Sequence, residues 1–424
     1  MQQAKTLNEI IALKNNTDLT SETVNMFYVM SPGKIEQNID RFFQIMHHHP
    51  KKMLFIGPKG VGKRSLLRYL SKNQLNHFHC LSINLQNILN PFDISQIDIV
   101  FCLLNHLIHD LSNTQKRIDP GVLNNIYQSL HDEHLISLIH FKKSEAGDDE
   151  GTKIGFVKSF INAIVDAIST AGNEIRNHIR KSFEPRLRLI LKSVQNFIDY
   201  SNQLYQRNGK CLLIIFDDLG HFDQFSTEIF FQNHLSLTKR LHTHIIYTMP
   251  DFFRFSPFFQ TVCDQMDRIA YLRMSPVVCQ DQSHVAPGKK FIDDMINKRI
   301  DSRLIPDRIR EAIIMASGGV ISDAYHLLIE TAIGTVIDNA ETESLQQYIF
   351  EQVKAQLVRQ KIQQLNYQQF CLLKELDLLN PSWTDNKDIQ RLIKNNVIIE
   401  YASDQHVWFD IHPLIKEYFQ TGRK

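Results

Sequence analysis

No apolar run in this 424-residue chain approaches the ~18–20 residues that a membrane-crossing helix needs, so no membrane partner is expected. The opening residues, "MQQAKTLNEIIALKNN", lack a basic stretch followed by an apolar core, and a signal peptide is not expected there. Charge excess is missing too: 47 Lys and Arg stand against 46 Asp and Glu. Global charge therefore gives no reason to expect nucleic acid or an anionic surface, although a local basic face stays open. The six cysteines, Cys80, Cys102, Cys211, Cys263, Cys279 and Cys371, show no C-x-x-C spacing. Most lie in apolar runs such as "KCLLIIF", which points to buried free thiols in a reducing cytoplasm rather than a disulfide framework. There is no internal repeat and no low-complexity tract. No nuclease, protease or deaminase constellation is visible, so an effector is expected to be another polypeptide.

A hydrophobic fraction of 43% is enough for real cores, and the length suggests two or three domains. The most specific stretch is "FIGPKGVGKRS", residues 55–65. It meets G-x-x-x-x-G-K from Gly57 through Gly62 and Lys63, then places Arg64 where Ser or Thr is usual, with Ser65 one residue late. "MLFIG" before it reads as a strand and "RSLLRYL" after it as a helix, the context a phosphate loop requires. Glycines let backbone N–H groups converge on a phosphate, and the helix points its positive end at the same anion. Gly57, Pro58, Lys59, Gly60, Val61, Gly62, Lys63, Arg64 and Ser65 are the candidate nucleotide-binding residues, with Lys63 reaching the β- and γ-phosphates.

"CLLIIFDDL" (211–219) is a continuous apolar run, as expected of a parallel strand covered on both faces, and it ends in acids. Asp217 is the candidate Mg²⁺ carboxylate and Asp218 the candidate base or water-orienting group. The plainer reading is two acids at an exposed strand end. In "HIIYTMP" (244–250), Thr248 is a candidate for contact with the γ-phosphate or the attacking water, and an ordinary strand end explains it equally well. Three features take the plain reading. "HHH" (47–49) is a polar helix end, since adjacent side chains on a helix diverge. Arg176, Arg180, Arg186 and Arg188 read as a solvated helical face, and Trp408 and Phe409 as packing of a small domain.

The fold class expected is α/β: a P-loop NTPase core with a parallel sheet and flanking helices, an α-helical lid and a C-terminal winged-helix-like domain. The boundaries read as an N-terminal segment over 1–27, the core over 28–250 with a helical insertion at about 115–205, the lid over 251–362 and the terminal domain over 363–424. From 251 onward the pattern turns helical until the last 60 residues, which read helix, helix, strand, turn, strand, helix. Residues 143–153, "KSEAGDDEGTK", are the most loop-like polar stretch and are expected to be mobile.

The loop, "IIFDDL", "TMP", the helical segment "ASGGVISDAYHLL" (316–328) and the terminal phrase "NNVIIEY…WFDIHPLI" together resemble the AAA+/STAND-like superfamily of P-loop ATPases, in particular a bacterial type with a C-terminal winged helix. The resemblance covers the chain from about residue 28 to the end. It implies an ATP-binding (or ADP-binding) core and a switch whose lid angle and assembly follow nucleotide state. Relatives of this type serve DNA replication, transposition, signalling and phage defence. Two departures stand out. Arg64 replaces the hydroxyl that would ligate Mg²⁺, which leaves the metal open, because a guanidinium only donates hydrogen bonds. Ser322 stands where the family carries a lid arginine. Either Arg64 supplies charge in place of the metal, or Ser65 takes the metal over, which needs a backbone shift because one helical residue turns the side chain by about 100°.

Three functions follow. The first is an ATP-binding regulator with slow or absent hydrolysis acting on a protein partner. The second is a scaffold built on a degenerate ATPase, without nucleotide. The third is a DNA-binding ATPase whose recognition helix would be residues 386–396, with Lys387, Arg391 and Lys394. Asp388, Glu400, Asp404, Asp410 and Glu417 dilute that basic face, and protein docking is favoured over DNA. A homo-oligomer would use an arginine in trans, from among Arg254, Arg268, Arg299 and Arg303; a monomer is equally open.

Overall fold

The computed structural model describes residues 3–15, 19–45, 49–85, 90, 93–114, 118–131, 150–217, 219, 226–232, 240–278, 287–375, 386–402 and 406–421. Five strands, β1 (Lys52–Gly57), β2 (Phe78–Asn84), β3 (Cys211–Asp217), β4 (His244–Pro250) and β5 (Arg268–Tyr271), form one parallel sheet in the order β2-β3-β4-β1-β5. The inner strands β1, β3 and β4 are buried along almost their whole length, which is why they read as unbroken apolar runs. Successive side chains point to opposite faces. Leu54, Ile56, Ile214, Phe216, Ile245 and Tyr247 share one apolar cluster, and Met53, Phe55, Leu213, Ile215 and Ile246 share another.

The first cluster is completed by helices α5 (Gln96–Asn113), α6 (Pro120–Leu130), α7 (Glu150–Thr170), α8 (Asn173–Phe183) and α9 (Leu187–Gln206). The second is covered by α3 (Ile35–Ile45) and α4 (Lys63–Asn73). The preceding short helices are α1 (Leu7–Ala12) and α2 (Val24–Phe27). Ser95 caps α5 in a reciprocal box with Asp98, and Asp98, almost fully buried, also accepts from Arg180 at 2.6 Å. Arg180 donates further to Asp93 at 2.5 Å, and Arg176 pairs with Asp93 at 3.4 Å. These two arginines are therefore not a solvated face, as the sequence suggested. They fasten the inserted helices to the start of α5, with acceptors some 80 residues away that helical spacing cannot reveal. Arg186 donates to the carbonyl of His131 at 2.8 Å, and Arg188 is exposed.

β5 corrects the expectation that the chain is helical from 251. This strand joins the sheet beyond that boundary, through Met53↔Arg268 to Ile56↔Tyr271. It has only four residues and lies at the sheet edge, too short for an alternation signal. Between β4 and β5 lies the short α10 (Phe259–Cys263). The helices that follow are α11 (Pro287–Arg299), α12 (Asp307–Ser317), α13 (Ile321–Asp338) and α14 (Gln347–Gln363). Leu7, Ile10 and Leu13 of the N-terminal segment are buried in the same cluster as Ile292, Ile313, Leu327 and Leu328 of these helices. The backbone fixes the union, with Ala4 N–H donating to Arg299 O at 2.7 Å and Asp301 N–H to Ala4 O at 2.9 Å.

The last unit holds α15 (Tyr367–Glu375), α16 (Lys387–Lys394), the antiparallel pair β6 (Ile398–Ala402) and β7 (Val407–Ile411), and α17 (Pro413–Thr421). Its own core contains Leu373, Ile389, Leu392, Ile398 and Ile415. Trp408 packs on Tyr401 with ring centres 5.7 Å apart. The order of elements is the one read from the sequence. Of the stretch expected to be a polar loop, residues 150–153 begin α7, and 143–149 lie outside the described residues. Among the described residues no helix is long and apolar enough to cross a membrane.

Candidate nucleotide site

The glycine-rich loop leaves β1 at Gly57 and enters α4 at Lys63, at the carboxyl ends of the sheet strands, where ligands of open α/β sheets bind. Gly60 has φ +79° and Gly62 φ +96°, both in the left-handed region that favours glycine. A Cβ on Gly60 would lie 2.3 Å from Ser322 Oγ, so the loop also has no room for one. Ser322, in the first turn of α13, thus sits directly on the glycine-rich loop.

Lys63 turns back into its own loop. Its Nζ donates to the carbonyl of Pro58 at 2.8 Å and to that of Gly57. Burial pushes its ammonium down to about 8, against the pull of the Asp251 and Asp217 carboxylates. Arg64 Nε donates to Asp217 Oδ2 at 3.2 Å, an ion pair between the first turn of α4 and the end of β3. Phe216 pairs with Tyr247 across β3 and β4, so Asp217 and Thr248 are the next residues along adjacent strands. Thr248 is buried, and among the described residues its hydroxyl has no hydrogen-bond partner. Asp218 lies outside the described residues.

Asp251, one residue past "TMP", was missed in the sequence. Burial raises its carboxyl to about 6, opposed chiefly by the Arg254 and Lys63 charges. Glu400 of β6 stands close by, accepts from Arg273 Nε at 2.8 Å and is ion-paired with Arg254. Asn396, itself at φ +54°, donates to the carbonyl of Lys59 at 3.0 Å, so the C-terminal unit touches the loop directly.

A cavity of about 320 Å³ opens beside the loop. Gly60, Gly62 and Ser65 form its floor, Tyr28 and Val29 one wall, Arg273 and Ser275 a second, and Arg299 of α11 with Ser322 and Tyr325 of α13 a third. Tyr28 is held by a hydrogen bond from its hydroxyl to buried Glu36 at 2.5 Å and by stacking on Tyr69 at 4.4 Å. Ser31 N–H and hydroxyl both donate to Glu36 at 2.7 Å. The wall is thus built in, although only a glutamate amid polar residues marked it in the sequence.

The four arginines named for action in trans divide. Arg299 is buried in the cavity wall, its guanidinium 4.8 Å from the Tyr325 ring centre, and Arg254 is engaged with Glu400. Arg268 is exposed, and Arg303 is exposed and paired with Asp301 at 2.7 Å. His49 is exposed, whereas His47 and His48 lie outside the described residues. Among the described residues no group of three His, Cys, Asp or Glu is arranged to hold a metal.

The parallel sheet with a glycine-rich loop between its strand and helix defines the class: a P-loop NTPase fold. No protein-family model matches the chain, and no curated protein matches it. Among the solved structures to which it is similar over most of its length are three. These are a Walker-type ATPase of Pyrococcus abyssi (13% identity, 91% of this chain and 95% of that one, TM-score 0.43), the Orc1 protein of Aeropyrum pernix in complex with DNA (7%, 94% and 95%, 0.40), and the RuvB Holliday junction branch migration motor of Thermotoga maritima (10%, 93% and 95%, 0.38). The fold is read from the chain's own geometry.

Proposed function

We propose that this chain is an AAA+/STAND-like ATP-binding regulator that hydrolyses slowly or not at all and acts on a protein partner as a nucleotide-dependent switch. One observation carries the reading: the cavity beside the phosphate loop is walled by the N-terminal segment, the end of β5 and the lid together. An occupant touches all three, so its presence biases how they sit. Asn396 and Glu400 extend that link to the C-terminal unit, read here as a winged-helix-like docking module. Arg64 in place of a hydroxyl and Ser322 in place of an arginine both remove groups that would stabilise charge during phosphoryl transfer. Loss of an arginine finger alone costs about 10³–10⁵ in rate. A reducing, cytoplasmic setting belongs to this reading; among the described cysteines Cys102 is buried and Cys80, Cys211, Cys263 and Cys371 are half-buried, and burial pushes Cys80 up to about 11 and Cys102 up to about 12.

The scaffold reading has its own support, since Lys63 already satisfies itself on Gly57 and Pro58. DNA contact through α16 is disfavoured: Lys394 lies over the Phe252 ring at 4.8 Å, and Arg391 has Asp388 at 3.7 Å. Mass analysis of small molecules released by denaturing the purified protein separates the first two readings. The switch is expected to release ATP or ADP. A chain that carries none and takes up none from millimolar ATP would overturn it in favour of the scaffold.

A further inference from the structure

A P-loop site ordinarily holds Mg²⁺ between a hydroxyl at the first helical turn and a carboxylate at the end of a neighbouring strand. The residues here do not fit that ion. The hydroxyl is replaced by Arg64, whose guanidinium has five donors, no acceptor and a permanent charge. The carboxylate, Asp217, is only 10% exposed at its side chain and is ion-paired with that guanidinium at 3.2 Å. A divalent cation entering between them would meet a fixed positive charge and would have to break the pair.

We propose that the Arg64 guanidinium takes the place of the divalent cation, so that this site binds a nucleoside di- or triphosphate without Mg²⁺. The proposal rests on the nucleotide reading above and deepens it. Three features favour it. Arg64 and Lys63 put two cationic side chains on consecutive residues at the amino end of α4, where the helix dipole and free backbone N–H groups already favour an anion. Asp217 holds Nε, which orients the guanidinium plane rather than leaving a flexible charge. A guanidinium can also bond two phosphate oxygens at once, which a hydrated cation does not need to be present for. Ser65 does not restore the usual ligand pair: it lines the cavity floor, whereas Arg64 is the residue that meets Asp217.

The test is calorimetric titration of ATP into the full chain, once with millimolar Mg²⁺ and once with EDTA. The wild-type affinities are expected to agree within about threefold, less than 1 kcal/mol. Arg64→Ser, which returns the usual hydroxyl, is expected to weaken binding in EDTA by about tenfold or more and to regain it with Mg²⁺. The ratio between the two buffers is the decisive quantity, because a merely structural arginine would weaken both equally. Arg64→Thr serves if the serine variant does not fold. Wild-type binding only with Mg²⁺ overturns the proposal and leaves the nucleotide reading intact. Absence of binding in both buffers overturns both.

Discussion

Asp251→Asn is expected to stabilise the protein, and only above about pH 5. Asp251 is 7% exposed, and its carboxyl is raised from 3.8 to about 6, burial being the leading cause. A carboxyl raised on folding favours the folded state while protonated. Its contribution is fully present below the unfolded value and is lost as pH rises through the folded one. Above about pH 6 the folded chain holds an ionised acid in a buried site, and the rise of about two pH units corresponds to about 3 kcal/mol at most. The attraction of Arg254 and Lys63 is already contained in that net value. Asparagine keeps the shape and removes the ionisation. Urea unfolding of wild type and variant at pH 4 and pH 7.5 reads the effect. The two are expected to coincide within about 0.5 kcal/mol at pH 4 and to differ by about 2–3 kcal/mol in favour of the variant at pH 7.5. A variant less stable than wild type at pH 7.5 would refute the reasoning. It would mean that the carboxylate, set between Lys63 and Arg254, is favourable as an ion.

Two further outcomes follow from the geometry. Gly60→Ala places a side chain at φ +79° and 2.3 Å from Ser322 Oγ, so ATP affinity measured by calorimetry is expected to fall by about tenfold, from roughly 1 kcal/mol of backbone strain plus the clash. Adding Ser322→Gly relieves the clash alone and is expected to recover part of the loss; undiminished binding by the single variant would contradict the loop geometry. Arg180→Ala leaves the buried Asp98 without its guanidinium, and stability in urea is expected to drop by about 3–5 kcal/mol; a loss under about 1 kcal/mol would show that the network is incidental.

The inner strands and the loop were legible because each carries a local signal. β1, β3 and β4 are unbroken apolar runs, and the spacing of Gly57, Gly62 and Lys63 is fixed by the geometry of one turn. The terminal order of helices and strands was legible for the same reason. Features made by distant pairs were not. β5 is four residues long and is a strand only because β1 lies beside it. The segment carrying Leu7 and Ile10 shows an amphipathic pattern but not that its partner lies some 300 residues on. Arg64 was visible as an oddity in the motif; that it faces Asp217 depends on where β3 falls in the sheet. Asp251 gave no signal, since a single acid after a proline acquires its character only from the residues that bury it.

The central claim is that the loop and the cavity beside it hold a nucleotide. Calorimetric titration of ATP into wild type and into Lys63→Ala tests it most directly. The claim requires one saturable site in wild type and a loss of about thirtyfold or more on removing the lysine, equivalent to about 2 kcal/mol for a charged contact to phosphate. Equal heats from both proteins, or no saturable heat from wild type, would contradict it.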